Sequence, residues 1–484
     1  MNKFRAILFC FIISFVSQFS FSQEQYSIET LLTGYLEHDI ELKKLLLNSK
    51  KSKLELEQTK IEQGFDITLS TGTMTFYSGK ENGSSINFKP SINAKIPSVK
   101  NMTASASVDY NVNKVDKTSS FEDGKISFGI DLISKEEALS KISIEKSKRA
   151  VIEAEWKLQH AALSVERKFY TELQSILNLT NNILTYRQDY YTDKLNFEKL
   201  KVQGYSSTSS TYRIAEMKVS TGLHNIEVAL HNLKRDIIIF YNRCGISLEI
   251  DEQSDLMTLV PDQIIDVEPI NFNDFDKENF SSLENARWVC DINQVQRKVE
   301  KFFTLGVNAG YTFKNSYTQS DTIDTSILAT IGGVGLTAGV SLPVGVEDFS
   351  PAFTLSANVN PNSFKTREIK KQHDELSYKQ DLYDIENAIQ EYETTQVAFE
   401  QELINLKWEK ETVKNNLDLY QKNETDLKKY YNYGIVSESE YLAAKNNRQL
   451  YEVKTKINQL EFILYNNDIR SKFVDLDDLN DIEK

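Results

Sequence analysis

The residues whose types could do chemistry are few, and their spacing does not suit it. A metal site needs histidines and cysteines at fixed local intervals, and an activated nucleophile needs a base oriented by a third group. His38, His160, His224, His231 and His373 fall on segments with a helical pattern and make no such motif. His224 and His231 share a helix face, where a solvated or packed pair is the simpler account. Cys244 and Cys290 suit either a disulfide in an oxidising compartment or two structural thiols, and the spacing leaves both open. Gly332-Gly333-Val334-Gly335 lies in a strand pattern and does not open a helix, which speaks against a phosphate loop. No catalytic, cofactor-binding or metal-binding residue is expected, so function must lie in the architecture.

That architecture repeats. Ala162, Phe169, Ile176, Ile183, Tyr190 and Phe197 step by sevens to Gly204, and Tyr392, Phe399, Leu406, Val413, Tyr420 and Leu427 step likewise to Gly434. A second set, Val165, Leu179, Tyr186 and Leu200 in one copy and Ile389, Leu403, Leu417 and Tyr431 in the other, completes a coiled-coil seam. Two such seams, each stopped by glycine, predict duplicated long helical hairpins. Glu172 and Asp193 interrupt one seam, and Gln396, Lys410 and Glu424 the other, where polar residues fix the register between helices. Ser134 with Glu137 makes a capping box that opens the first long helix, and a run of roughly 70 residues would span about 105 Å. Return arms are expected from Thr208 to Tyr241 and from Ser437 to Asn467, with shorter helices from Ser27 to Gln63 and Phe280 to Phe302.

Composition agrees: 484 residues with only 7 Pro and 18 Gly suit long helices better than one large core. A net charge of −14 leaves no basic excess to neutralise phosphates, so nucleic acid is not an expected partner. Lys3 and Arg5 precede an apolar run from Ala6 to Val16, and Ser20 and Ser22 offer a peptidase small side chains, which predicts a signal peptide cleaved after Ser22. No other segment approaches the roughly 18 apolar residues of a spanning helix. A membrane crossing must therefore use strands.

Strands of that kind occur in two clusters. Met102, Ala104, Ala106, Val108, Tyr110 and Val112 alternate with small polar residues, as do Phe303, Leu305, Val307, Ala309, Tyr311 and Phe313. Phe65 to Tyr77, Ile86 to Ile96 and Lys125 to Ile133 complete the first cluster, with a phase slip near Gly72 and an interruption at Pro90. Ser326 to Ile331, Val334 to Leu342 and Ala352 to Asn360 complete the second, with Gly332-Gly333 as a hairpin turn. A half-buried soluble sheet and a lipid-facing barrel wall require the same alternation, and the export signal favours the wall.

Tyr430 to Ala444, YYNYGIVSESEYLAA, resembles the hairpin tip of the TolC-like outer membrane efflux proteins at Tyr433, Gly434, Ser437, Glu440, Leu442 and Ala444. The first tip keeps Gly204 and Ser207 but has Ser210 in place of the acidic residue. The resemblance covers essentially the whole mature chain. It implies an α+β membrane protein, with duplicated helical hairpins forming an α-barrel and strand clusters contributing to one trimeric transmembrane β-barrel. The expected organisation is a signal peptide (1–22), an N-terminal helix (23–64), strands (65–133), a first hairpin (134–246) and a connector (247–279). A helix (280–302), strands (303–361), a second hairpin (362–470) and an acidic tail (471–484) follow. The family typically has two strands per repeat, against four alternating segments here. The resemblance further implies a passive homotrimeric duct in the cell outer membrane that reaches into the periplasm and serves an inner-membrane pump through a periplasmic adaptor. Gly204, Ser206, Ser207, Gly434, Ser437 and Ser439 would be the adaptor-docking tips, and Glu440 an entrance gate. The competing reading is a structural envelope-spanning coiled-coil protein or adhesin with a soluble β-domain.

Overall fold

The computed structural model describes residues 26–72, 74–79, 83–113, 118–250, 255–261, 263–300, 303–315, 320–331, 334–345 and 349–474. The expected signal peptide, the Gly332-Gly333 turn and the Asp-rich end from Asp475 lie outside them. Two compact units form, one from 26–38, 166–268 and 406–464, the other from 39–165, 269–405 and 465–474.

The second unit holds the sheet. The chain's N-terminal segment is not one helix from Ser27, because α1 (Ile28–His38), in the first unit, ends and Asp39 caps a new helix, α2 (Ile40–Glu62), accepting from the Leu42 N–H at 2.9 Å. The first cluster then forms β1 (Asp66–Ser70), β2 (Met74–Gly79), β3 (Gly83–Phe88), β4 (Ser91–Ile96), β5 (Met102–Asn113) and β6 (Thr118–Ile133). These six strands fill four positions. β5 pairs with β4 over its first half and with β3 over its second, while β4 pairs with β1 and β3 with β2. The breaks fall at Gly72, where φ is +68°, and at Lys89-Pro90. A Cβ on Gly72 would lie 1.6 Å from the Lys89 carbonyl oxygen, so the two interruptions touch and glycine is required.

The second cluster gives β7 (Thr304–Lys314), β8 (Asp321–Ile331), β9 (Val334–Val344) and β10 (Ala352–Val359). β8 starts five residues before the expected Ser326, because Asp321 to Thr325 continue the pairing with β7 and β9. Pairing of β6 with β7 joins the clusters into one antiparallel sheet, in the order β1-β4-β5-β6-β7-β8-β9-β10. Eight strand positions result.

α5 (Ser281–Glu300) leads into this cluster and α6 (Pro361–Asn432) leaves it. Arg149, on α3 (Lys135–Val202), is buried between Trp156 and Trp288 at 4.6 and 4.9 Å and grips Glu284 of α5 with two nitrogens at 2.5 and 2.6 Å. The connector contributes to a core: Phe272 and Phe280 are fully buried among Tyr392, Phe399 and Phe473. The C-terminal segment is consequently not a free tail from residue 471. Phe473 and Val474 are buried, and the Val474 N–H donates to Asn279.

The first unit is built on the seams. α4 (Ser210–Arg243) packs with α1, and Phe240 of α4 meets Phe169 of α3 at 5.2 Å, with Leu31, Leu173, Ile176, Ile183, Leu233 and Ile237 also buried. α7 (Glu438–Arg470) carries Asn446, whose buried amide donates to the Leu184 carbonyl at 2.6 Å.

Candidate functional site: the two-faced sheet and the helical tips

Alternation along each strand becomes two faces across the sheet, because directly paired residues point the same way. One cross-strand row reads Ile67, Ala94, Ala104, Phe128, Ala309, Thr325, Val340, Phe353. The adjacent row, pointing the other way, reads Asp66, Lys95, Thr103, Gly129, Asn308, Ser326, Gly339, Thr354. The first row is apolar at seven of its eight positions, with Thr325 the exception, and the second is polar or glycine throughout. Among the described residues, the strands make their substantial contacts with one another and none with a helix. The apolar face is thus uncovered, with Leu69 at 73%, Phe128 at 62%, Phe353 at 75% and Leu355 at 84% exposed.

The polar face pairs many of its own groups, while the buried Oδ1 atoms of Asn87 and Asp109 accept no hydrogen bond from the described residues. Ser105 and Ser127 share a 2.6 Å hydrogen bond across β5 and β6, and Ser341 donates to Asp324 at 2.6 Å. Lys314 on β7 reaches Asp123 on β6 at 2.7 Å. No apolar layer could stack there without stranding these groups, whereas water would serve them.

Both helical tips close with the same Schellman geometry. Gly204 has φ +75° and Gly434 +70°, their N–H groups donating to Lys201 and Tyr431, while Tyr205 and Ile435 donate to Leu200 and Tyr430. No atom lies within 4 Å of a Cβ on either glycine, so the left-handed φ rather than crowding selects glycine. Beyond this the tips diverge. At the second, Ser437 accepts from the Glu440 N–H at 3.3 Å and Glu440 accepts from the Ser437 N–H at 3.0 Å, a complete capping box. At the first, the cap is Ser209, which accepts from Tyr212 at 3.3 Å, two residues later than the Ser207 alignment anticipates. Ser206 and Ser207 are exposed, whereas Ser439 is buried.

The polar seam residues find partners on other elements. Glu172 accepts from Tyr35 at 3.0 Å and pairs with Arg243, Lys410 reaches Asp266 at 3.0 Å, and Glu424 pairs with Arg448. Gln396 donates to Asn273 at 2.7 Å. Glu172 and Glu424 thus pair with other helices, whereas Lys410 and Gln396 reach the connector. Asp193 instead lines a shallow groove with Tyr186, Met217 and Lys218 between α3 and α4.

Among the described residues, no group of three or more His, Cys, Asp or Glu could hold a metal ion, and His224 and His231 are exposed. Cys244 and Cys290 are buried free thiols, and burial pushes the Cys244 thiol up to about 12. No described helix is long and apolar enough to cross a membrane.

No curated protein sequence matches the chain. Among solved structures, it is similar to the open-state MtrE outer membrane channel of Neisseria gonorrhoeae, at 11% identity and a TM-score of 0.49, over 95% of this chain and 94% of that one. The CmeC outer membrane channel of Campylobacter jejuni is similar at 12% identity and a TM-score of 0.44, over 97% and 96%. The outer membrane protein VceC of Vibrio cholerae is similar at 12% identity and a TM-score of 0.45, over 92% and 95%. Residues 31–264 match the model of the TP096X N-terminal domain and residues 265–475 that of the TP096X C-terminal domain. With both domains in succession, the chain belongs to the TP096X family.

Proposed function

We propose that the protein is the outer-membrane channel-tunnel of a multi-component efflux or secretion system. The observation that carries this reading is the sheet: eight antiparallel positions with one continuous, uncovered apolar face and one small polar face. Apolar side chains in such a row are costly in water and favourable in lipid. A sheet with open edges leaves backbone groups unpaired, and in hydrocarbon each costs several kcal/mol, so copies must join to close the wall. With the three copies that the TolC-like resemblance implies, eight positions each would give 24 strands. At about 6 Å of circumference per tilted strand, that wall would be about 150 Å around.

The helical hairpins would continue the duct into the periplasm, with Gly204, Ser206, Ser207, Gly434 and Ser437 at the ends offered to a periplasmic adaptor. The duct would be passive, with energy and selection supplied by an inner-membrane pump. Glu440 would narrow the entrance, although its carboxylate is also held in the capping box.

An envelope-spanning coiled-coil protein or adhesin with a soluble β-domain is the competing reading, and it requires a cover for the apolar face. Fractionation and planar-bilayer recording separate the two. A heat-modifiable multimer in the outer membrane with discrete ion conductance is expected. A soluble periplasmic monomer would end the channel proposal.

A further inference from the structure

The apolar face of the sheet is not filled evenly. Ala94 of β4, Ala104 of β5 and Ala309 of β7 stand in one cross-strand row with Phe128 of β6, and each alanine offers only a methyl group there. Together with Phe65 and Met102 they line a hollow of about 380 Å³, a volume within the range of small-ligand sites. All six of these side chains are apolar. The strands beneath the hollow, β4 to β7, each already have a neighbour on both sides, so no added strand can cover it.

The hollow lies at the end of the sheet from which the helices leave. Met102 opens β5 directly after the turn formed by residues 97–101, and β6 runs on from Phe128 to Ile133 and then into α3. If the helices reach into the periplasm, this end of the wall crosses the periplasm-facing leaflet. An apolar hollow in hydrocarbon forfeits dispersion contacts unless something fills it, and a flexible acyl chain is the filler at hand.

The turn beside it supplies a cation. Lys100 and Asn101 both take left-handed φ, +48° and +46°, which is uncommon for residues other than glycine. Asp131 holds them there: its N–H donates to the Lys100 carbonyl at 2.9 Å, and its carboxylate accepts from the Asn101 amide at 2.8 Å. Lys100 is thereby fixed in an exposed position two residues from Met102. Glu137, the carboxylate that feels its charge, is engaged by Lys141 at 2.6 Å. A lysine at the mouth of an apolar hollow matches a phospholipid, whose phosphate sits where its chains enter the hydrocarbon.

We infer that this hollow seats one acyl chain of a phospholipid from the periplasm-facing leaflet, with the phosphate on Lys100. The site deepens the channel reading and rests on it, because only a wall in lipid brings this ligand to that face.

The test uses the full chain in phosphatidylethanolamine vesicles doped with a phosphatidylglycerol that carries a diazirine on one acyl chain. After ultraviolet light and peptide mapping, label on residues 94–104 and 128–130 is expected to exceed that on residues 323–340 of the same face several-fold. Ala104→Phe fills the hollow and should bring its labelling down to the level of residues 323–340. Ala309→Leu fills it from another strand and decides the matter if the first variant does not assemble. Lys100→Gln should weaken the labelling several-fold, and no change would overturn the role of the phosphate. Unlabelled phosphatidylglycerol should compete, whereas equal competition by lipopolysaccharide would overturn the choice of a phospholipid. Even labelling of the whole face, or labelling that survives both filling variants, would reduce the ligand to ordinary surrounding lipid and overturn the site. Conductance of the same vesicles reports the channel separately: conduction with even labelling overturns only the site, and a face that takes no label without conduction overturns the channel reading with it.

Discussion

Ile327→Arg tests whether the uncovered face of the sheet meets lipid. Ile327 sits on β8 directly between Val307 of β7 and Ala338 of β9, and its side chain is 52% exposed. Ser326, its neighbour, lies between Asn308 and Gly339 on the other face. If the apolar face is in hydrocarbon, arginine at position 327 near the midplane costs about 2–4 kcal/mol, a fall of roughly 30- to 900-fold in the folded-to-unfolded ratio. If that face is in water, an exposed Ile→Arg change falls within about 0.5 kcal/mol. Ser326→Arg replaces a small side chain on the polar face and should be nearly neutral in the barrel. Refolding from urea into lipid vesicles, followed by tryptophan fluorescence and heat-modifiable migration, measures the difference. Val307→Arg against Asn308→Arg repeats the comparison one strand away. Equal tolerance on the two faces, or a greater cost at Ser326 and Asn308, would refute the lipid assignment.

Gly434→Ala should cost the second tip about 1–2 kcal/mol from its left-handed φ alone, read as faster amide exchange confined to the turn; Gly434→Leu with the multimer intact and export lost would assign that tip to docking, and unimpaired export would remove the idea. Glu440→Gln keeps the capping contact and removes charge, so unchanged conductance and cation block would dismiss the gate, while Ser437→Ala should cost about 1 kcal/mol of helix-start stability. Arg149→Met leaves Glu284 buried beside two indoles without its partner and should cost about 3–5 kcal/mol in thermal unfolding. Burial, with Glu409 nearby, holds the Glu461 carboxyl above the usual range, so its contribution to stability is full at low pH and is lost as pH rises through the folded-state pKa. Glu461→Gln should therefore melt higher than the parent at pH 7 and equally near pH 4.

The long helices were legible because a heptad seam states its own period, and a glycine at Gly204 or Gly434 states its end. The same logic failed where the deciding signal was a single cap. Asp39 divides the N-terminal helix by accepting the Leu42 N–H, although the hydrophobic pattern runs on past it. Ser209 rather than Ser207 starts α4, because three hydroxyl residues compete in that turn and only backbone geometry chooses among them. The aromatic core around Phe272 and Phe280 was illegible for another reason: a connector has no period, and its partners Tyr392, Phe399 and Phe473 are distant in sequence. The seam partners of Glu172, Lys410 and Glu424 were invisible for the same reason, although the need for partners was plain.

The sheet shows how local irregularity and global regularity coexist. Pro90 removes a donor from a strand that would otherwise run on, and beside it Gly72 takes a left-handed φ, so two neighbouring strands break at one level. β5 does not break there. It bridges the gap by pairing with β4 below and β3 above, and a bulge opposite Asp109 and Tyr110 lets β6 follow. The register on the apolar face survives, since Leu69, Ile92, Ala106 and Ile126 pair in one row on one side of the break and Phe88, Tyr110 and Phe121 in one row on the other. A one-residue slip would have carried every apolar side chain to the polar face. Six strands thus act as four, and the chain presents eight positions in one alternating sheet.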